Sequence, residues 1–144
     1  MAFRRILVPL AGTSVDPDVV RIAVTLAKPS KAEILAIHVI EVRWHLALDA
    51  VLEPELDRGE RLLEDAVRVA EQAGGKMETE LLQAREAAAA IVDTARERGA
   101  DLVLLGMPYR KRLGRTYASR TVEDVYLGAH CAVLAYRQEE PRTE

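Results

Sequence analysis

The chain is poor in the features that announce a chemistry directly. Its 144 residues contain one cysteine, Cys131, so no disulfide framework and no cysteine pair at metal-ligand spacing exists within it. A lone thiol inside an apolar run reads as a structural residue in a reducing compartment. No apolar run approaches the roughly 18 residues of a membrane-spanning helix. The first apolar run, Ile6-Leu7-Val8, follows Arg4-Arg5 but is too short for a signal core and has no small-residue cleavage site after it. These absences predict a cytoplasmic chain without membrane insertion. A net charge of −3 excludes a general attraction to nucleic acid or acidic lipid, so any anion must be held by a local cluster.

Catalytic signatures are missing as well. There is no Gly-x4-Gly-Lys-Ser/Thr loop, no Gly-x-Gly-x-x-Gly opening the first helix and no Gly-x-Ser-x-Gly elbow. His38, His45 and His130 are scattered. His38 falls in a predicted strand and reads as a satisfied core or interface residue, while His130 reads as a cap or packing residue. Glu123 and Asp124 are adjacent, so they leave a helix on different sides and form no carboxylate pair. The sequence therefore predicts no catalytic residue and no metal site.

What is present is a regular alternation. The length suits one domain, assigned to residues 1–138 and followed by a charged tail at 139–144. A short apolar run within residues 3–10 reads as a strand buried on both faces. Gly12 and the potential caps Thr13, Ser14 and Asp16 follow, then Pro17 and a helix ended by Lys28-Pro29. Residues 32–42 form the second predicted strand, and residues 43–53, with Trp44 and His45, read as mobile. An amphipathic helix over 53–73 ends at Gly74-Gly75. A shorter strand at 77–82, with polar alternation, suits a sheet edge. A helix over 86–98 and a strand over 101–106 come next, then a helix over 118–128 and a last strand over 131–136.

Strands alternating with helices argue an α/β fold, a five-stranded parallel doubly wound sheet in a Rossmann-like sandwich. Right-handed crossovers favour the strand order 3-2-1-4-5, with the ends after Leu10 and Leu105 side by side at a topological switch point. Ligands of such sheets sit beyond the carboxyl ends of the strands. In this chain that crevice would be built from residues 9–14, 39–42 and 106–121, and the helix N-termini near Ser14 and Ala118 would favour an anion. The last strand is apolar and at an edge, and a two-fold dimer through Ala132, Val133, Leu134, Ala135 and Tyr136 would cover it.

Four stretches carry a resemblance. They are Ile6-Leu7-Val8-Pro9 with Gly12-Thr13-Ser14, the pair His38-Val39, Ala-Asp-Leu-Val-Leu-Leu-Gly at 100–106, and Ala-His-Cys-Ala-Val-Leu-Ala-Tyr-Arg at 129–137. In this order they resemble the universal stress protein family over nearly the whole chain. The resemblance implies an adenine-nucleotide alpha-hydrolase-like version of the sandwich, a role in stress response or regulation, and a homodimer formed through the last strand.

ATP-binding members of that family carry Gly-x2-Gly-x9-Gly-Ser/Thr after the fourth strand and an aspartate in the first loop. This chain keeps Gly106 but has Tyr109, Ser119 and Arg120 at the next three positions, and Ala11 in place of the aspartate. Tyr109 and Ser119 restore a Cβ where the backbone would approach phosphate. Arg120 puts a long side chain where a small hydroxyl would stand, and Ala11 removes an acceptor. The nucleotide motif is therefore degenerate.

The loop nonetheless holds Arg110, Lys111, Arg112, Arg115 and Arg120. Three readings stay open: a solvated basic loop, arginine forks that replace backbone N–H groups as anion ligands, or Arg120 filling the phosphate site itself. The candidate nucleotide- or anion-binding residues are Pro9, Ala11, Val39, Gly106, Arg112, Arg115, Ser119, Arg120 and Thr121. The leading expectation is a non-catalytic regulatory domain working through dimerisation and a protein partner, with no cofactor required. A looser resemblance to universal-stress-type domains attached to transporters implies a transporter as one such partner. The alternative is a protein binding ATP, AMP or cyclic AMP through the arginine-rich loop. A slow ATP hydrolase or adenylyl-transferring relative is the third reading.

Overall fold

Ile6, Leu7 and Val8 are each at most 1% exposed, which makes β1 (Arg5–Pro9) a strand covered on both faces. The computed structural model describes residues 2–112, 115–116 and 119–142, with 111–112 and 115–116 described as backbone. After β1 come α1 (Asp16–Ala27), a short 3-10 turn, β2 (Glu33–Glu41), α2 (Glu53–Gln72), β3 (Glu78–Ala84), α3 (Ala87–Glu97) and β4 (Leu102–Met107). A hairpin of β5 (Lys111–Arg112) and β6 (Arg115–Thr116) leads to α4 (Arg120–Gly128) and β7 (Ala132–Arg137).

The main sheet has five strands in the order β3-β2-β1-β4-β7, all parallel, as the alternation predicts. Period-two alternation divides the core. Ile6, Val8, Leu102 and Leu104 meet Val19, Val20 and Ala23 of α1 and Leu63 and Ala66 of α2 on one face. Leu7, Ile37, Val103 and Leu105 meet Ile91 and Ala95 of α3 and Val122 and Val125 of α4 on the other. At the amino ends, the Asp101 carboxylate accepts the N–H groups of Arg4 (2.8 Å) and Arg5 (3.0 Å) and ties β1 to the start of β4. β3 lies at one edge and β7 at the other.

The segment 43–53, read from sequence as mobile, is instead tied down at Arg43, Leu46, Leu48 and Ala50 from the far end of β3, and its last residue already belongs to α2. The Arg85 guanidinium donates to the carbonyls of Val42 (3.4 Å), Arg43 (2.7 Å) and Leu46 (2.9 Å) and lies 5.0 Å from the Trp44 ring centroid. The Gln83 amide donates to Leu48 and Ala50 at 2.9 and 3.0 Å. These partners are 33 to 43 residues apart in the chain, beyond the reach of local pattern.

Gly106 has a structural task that its motif position does not suggest. Its φ lies outside the left-handed region, so no special backbone shape requires glycine there. A Cβ at this position would collide with Val19 Cγ2 and stand 3.1 Å from Val15 Cγ2. The missing side chain is what lets α1 lie close against β4. We expect Gly106→Ala to lower unfolding stability by about 1–3 kcal/mol in urea titration. Val19→Ala introduced with it should recover part of the loss, and strictly additive costs would sink this account.

Candidate functional site

Beyond the carboxyl ends of β1, β2 and β4 lies a cleft of about 330 Å³. Its middle is apolar, formed by Pro9, Ile37, Val39, Ile91, Leu105 and Val122, and its polar lining comes from Thr13, His38, Glu41, Arg110, Ser119 and Thr121. The switch point explains the position: β2 and β4 flank β1, α2 follows β2 on one face, and α4 follows β4 on the other. A second groove of about 510 Å³ adjoins it between α1 and α2, bringing in Arg58, Arg61 and Asp65 and sharing Ala11, Thr13 and His38 with the cleft.

Three backbone donors near the cleft already have side-chain partners within the chain. In the first loop Gly12 takes φ +82°, and its N–H donates to Asp16 Oδ2 at 3.0 Å. The Thr13 hydroxyl donates to the other carboxylate oxygen at 3.4 Å. Burial pushes the Asp16 carboxyl above its ordinary value, while the Gly12 and Thr13 hydrogen bonds and the nearby His38 pull the other way. At the start of α3, Glu41 Oε2 accepts the Ala87 N–H at 2.9 Å. At the start of α4, Ser119 is the N-cap and its Oγ accepts the Val122 N–H at 3.1 Å. Ser119 sits in extended backbone, φ −67° and ψ 151°, which needs no glycine.

His38 links the two cavities. Its Nδ1 lies 2.7 Å from the Leu10 carbonyl, which can only accept, so Nδ1 carries the proton. That leaves Nε2 as an acceptor in the neutral ring. The hydrogen bond satisfies the core reading of this residue, and its place in the lining adds a contact that strand position alone did not indicate.

Of the candidate residues, Pro9, Ala11, Val39, Gly106, Ser119 and Thr121 come together around the cleft. Arg120 lies elsewhere. Its side chain is 93% exposed and its Nε is 3.7 Å from Asp124 Oδ2, one turn along the outer surface of α4. The backbones of Arg112 and Arg115 pair across the β5–β6 hairpin, and their side chains lie outside the described residues. Tyr109, at the second glycine position, has its ring 4.9 Å from the Arg137 guanidinium. Glu41, Ala87, Ile91 and Met107 line the cleft without having been candidates. No local pattern singles out Glu41, and only the approach of α3 marks it.

Among the described residues, no group of three or more His, Cys, Asp or Glu side chains is placed to hold a metal ion. No helix among them is long and apolar enough to cross a membrane.

The model of the universal stress protein family matches residues 2–137. The chain belongs to the universal stress protein family. It is similar to universal stress protein MJ0531 of Methanocaldococcus jannaschii, 30% identical over 142 residues, covering 94% of this chain and 83% of that one. The universal stress protein from Archaeoglobus fulgidus in complex with dAMP shares its fold, with TM-score 0.74 and 21% identity over 94% of this chain and 98% of that one. A universal stress protein in complex with cAMP does so too, with TM-score 0.73 and 19% identity over 96% and 100%.

Within this universal stress fold, the carboxylate of Asp16 makes the first loop sensitive to pH. The folded chain keeps the Asp16 proton above the unfolded value of 3.8, so between 3.8 and the raised folded value stability falls as pH rises. Above that window the contribution is constant. Asp16→Asn, whose side-chain oxygen can still accept from Gly12, should abolish this component. Denaturant titrations across the acidic range should then show the wild-type advantage over the variant shrinking with rising pH. An advantage that grows instead would contradict the burial of this carboxyl.

Proposed function

We propose that this chain is a non-catalytic, nucleotide-responsive regulatory domain, degenerate as an ATP site but able to take an adenine nucleotide with a short phosphate group. The preformed cleft of about 330 Å³ carries this reading. It falls at the lower end of the roughly 300–1,000 Å³ usual for small-molecule sites. Its apolar middle suits a planar base and its arginine end suits one phosphate.

The glycine backbone that would wrap a triphosphate is replaced by Tyr109 and Ser119. One donor at α4 is already taken by Ser119. Arg110, an exposed residue of the lining, supplies the charge instead. Structural neighbours in complex with dAMP and cAMP support an adenine ligand.

Calorimetric titration should show AMP or cyclic AMP binding more tightly than ATP, with adenine nucleotide released when freshly purified protein is denatured. Arg110→Ala should weaken AMP binding by about tenfold. Arg120→Ala should leave it within about twofold, because that side chain is exposed and paired with Asp124 along the surface of α4. Failure of all three nucleotides to bind would reject the reading, as would steady release of phosphate from ATP.

The output we assign is protein contact. β7 has β4 on one side and an open edge on the other, with Leu134 45% exposed. A second copy pairing along this edge would cover it, and a membrane transporter is one candidate for a further partner. Leu134→Lys should convert a dimer to a monomer in sedimentation velocity, and an unchanged dimer would place the interface elsewhere.

A further inference from the structure

We infer that Glu41 reads the base of the bound nucleotide, accepting a hydrogen bond from an exocyclic amine and selecting amino-purines over purines without one. The inference rests on the nucleotide reading above and goes beyond it, from ligand class to the residue that sets specificity.

The cleft is polarised end to end. Among its described lining residues only Glu41 and Arg110 are formally charged at neutral pH, and they stand on opposite sides of β1. Glu41 is the last residue of β2, and Arg110 follows β4. Two strand spacings separate β2 from β4, about 10 Å, a span that a nucleoside monophosphate bridges. Electrostatics orders the ligand: phosphate belongs at Arg110, and the base is left at Glu41.

Glu41 is prepared for that contact. The Val42 N–H bonds to the Ala84 carbonyl at 2.8 Å and anchors the strand end. Oε2 is held by the Ala87 N–H, which fixes the carboxylate at the N-terminus of α3. A carboxylate offers about four lone-pair sites, and Oε1 has no protein partner among the described residues. Glu41 is exposed in the free chain, and a base bound against it would cover Oε1, which is then satisfied by an N–H donor and left wanting by a C–H. Val39 and Ile91 supply the apolar walls for the ring.

The test compares AMP with purine riboside 5′-monophosphate, which lacks only the amine, by calorimetry on the intact chain. Wild-type protein should prefer AMP by about tenfold or more. In Glu41→Gln the amide oxygen can keep the Ala87 N–H, which turns the NH2 group toward the ligand amine, so the preference should collapse toward unity. Matched thermal melts would show that the variant is folded. A wild-type ratio within about twofold, or a ratio unchanged in folded Glu41→Gln, would overturn this assignment while leaving nucleotide binding intact. Absence of AMP binding to the wild type would instead remove the nucleotide reading itself.

Discussion

Close contact between α1 and the bare backbone of β4 at Gly106 sets the geometry of everything above the sheet. Val15 and Val19 occupy the space a side chain would need, so the first turn of α1 sits low against the central strands. That height places the preceding loop, and with it Ala11 and Thr13, on the wall shared by the two cavities, with the Asp16 carboxylate on the side of the second groove. A motif reading assigns this glycine to phosphate approach. In this chain its packing role is sufficient to require it, whatever the ligand.

The cleft is shaped by how the chain satisfies itself. Asp16, Glu41 and Ser119 each take a backbone N–H where a loop or helix begins near the ligand space. An open set of such donors would favour a polyanion. A set partly filled by two carboxylates and a hydroxyl favours a ligand with less charge and more hydrogen-bonding edge. Arginine in the lining then acts at one end only, which gives the cleft direction as well as chemistry.

Much of the framework was legible because burial periodicity is local. Ile6-Leu7-Val8 and Leu102-Val103-Leu104-Leu105 read as two-sided strands, and the helices follow from their apolar stripes and their ends. The segment around Trp44 was not, because Arg85 and Gln83 reach it from β3 and nothing in residues 43–52 encodes those partners. Much of the cleft was also legible: Pro9, Ala11, Val39 and Gly106 lie on or just beyond three strand ends, and Ser119 and Thr121 lie at the start of α4, which the topology brings beside them. Arg120 was harder. Its position in the motif pointed inward, whereas helix geometry turns it to Asp124.

The amino-acid sequence by itself determined the order of the five main strands and four helices, the order of the main sheet and the family, since these depend on patterns within a few residues and on the handedness of short crossovers. The β5–β6 hairpin was not legible in it. Only the tertiary structure decided that Glu41, 46 residues from Ala87, caps α3 beside the cleft, and that Asp16 closes the first loop. A hydrogen bond across that separation depends on how two faces pack, and no local pattern contains that information. The same holds for which arginine lines the cleft and which lies on the surface.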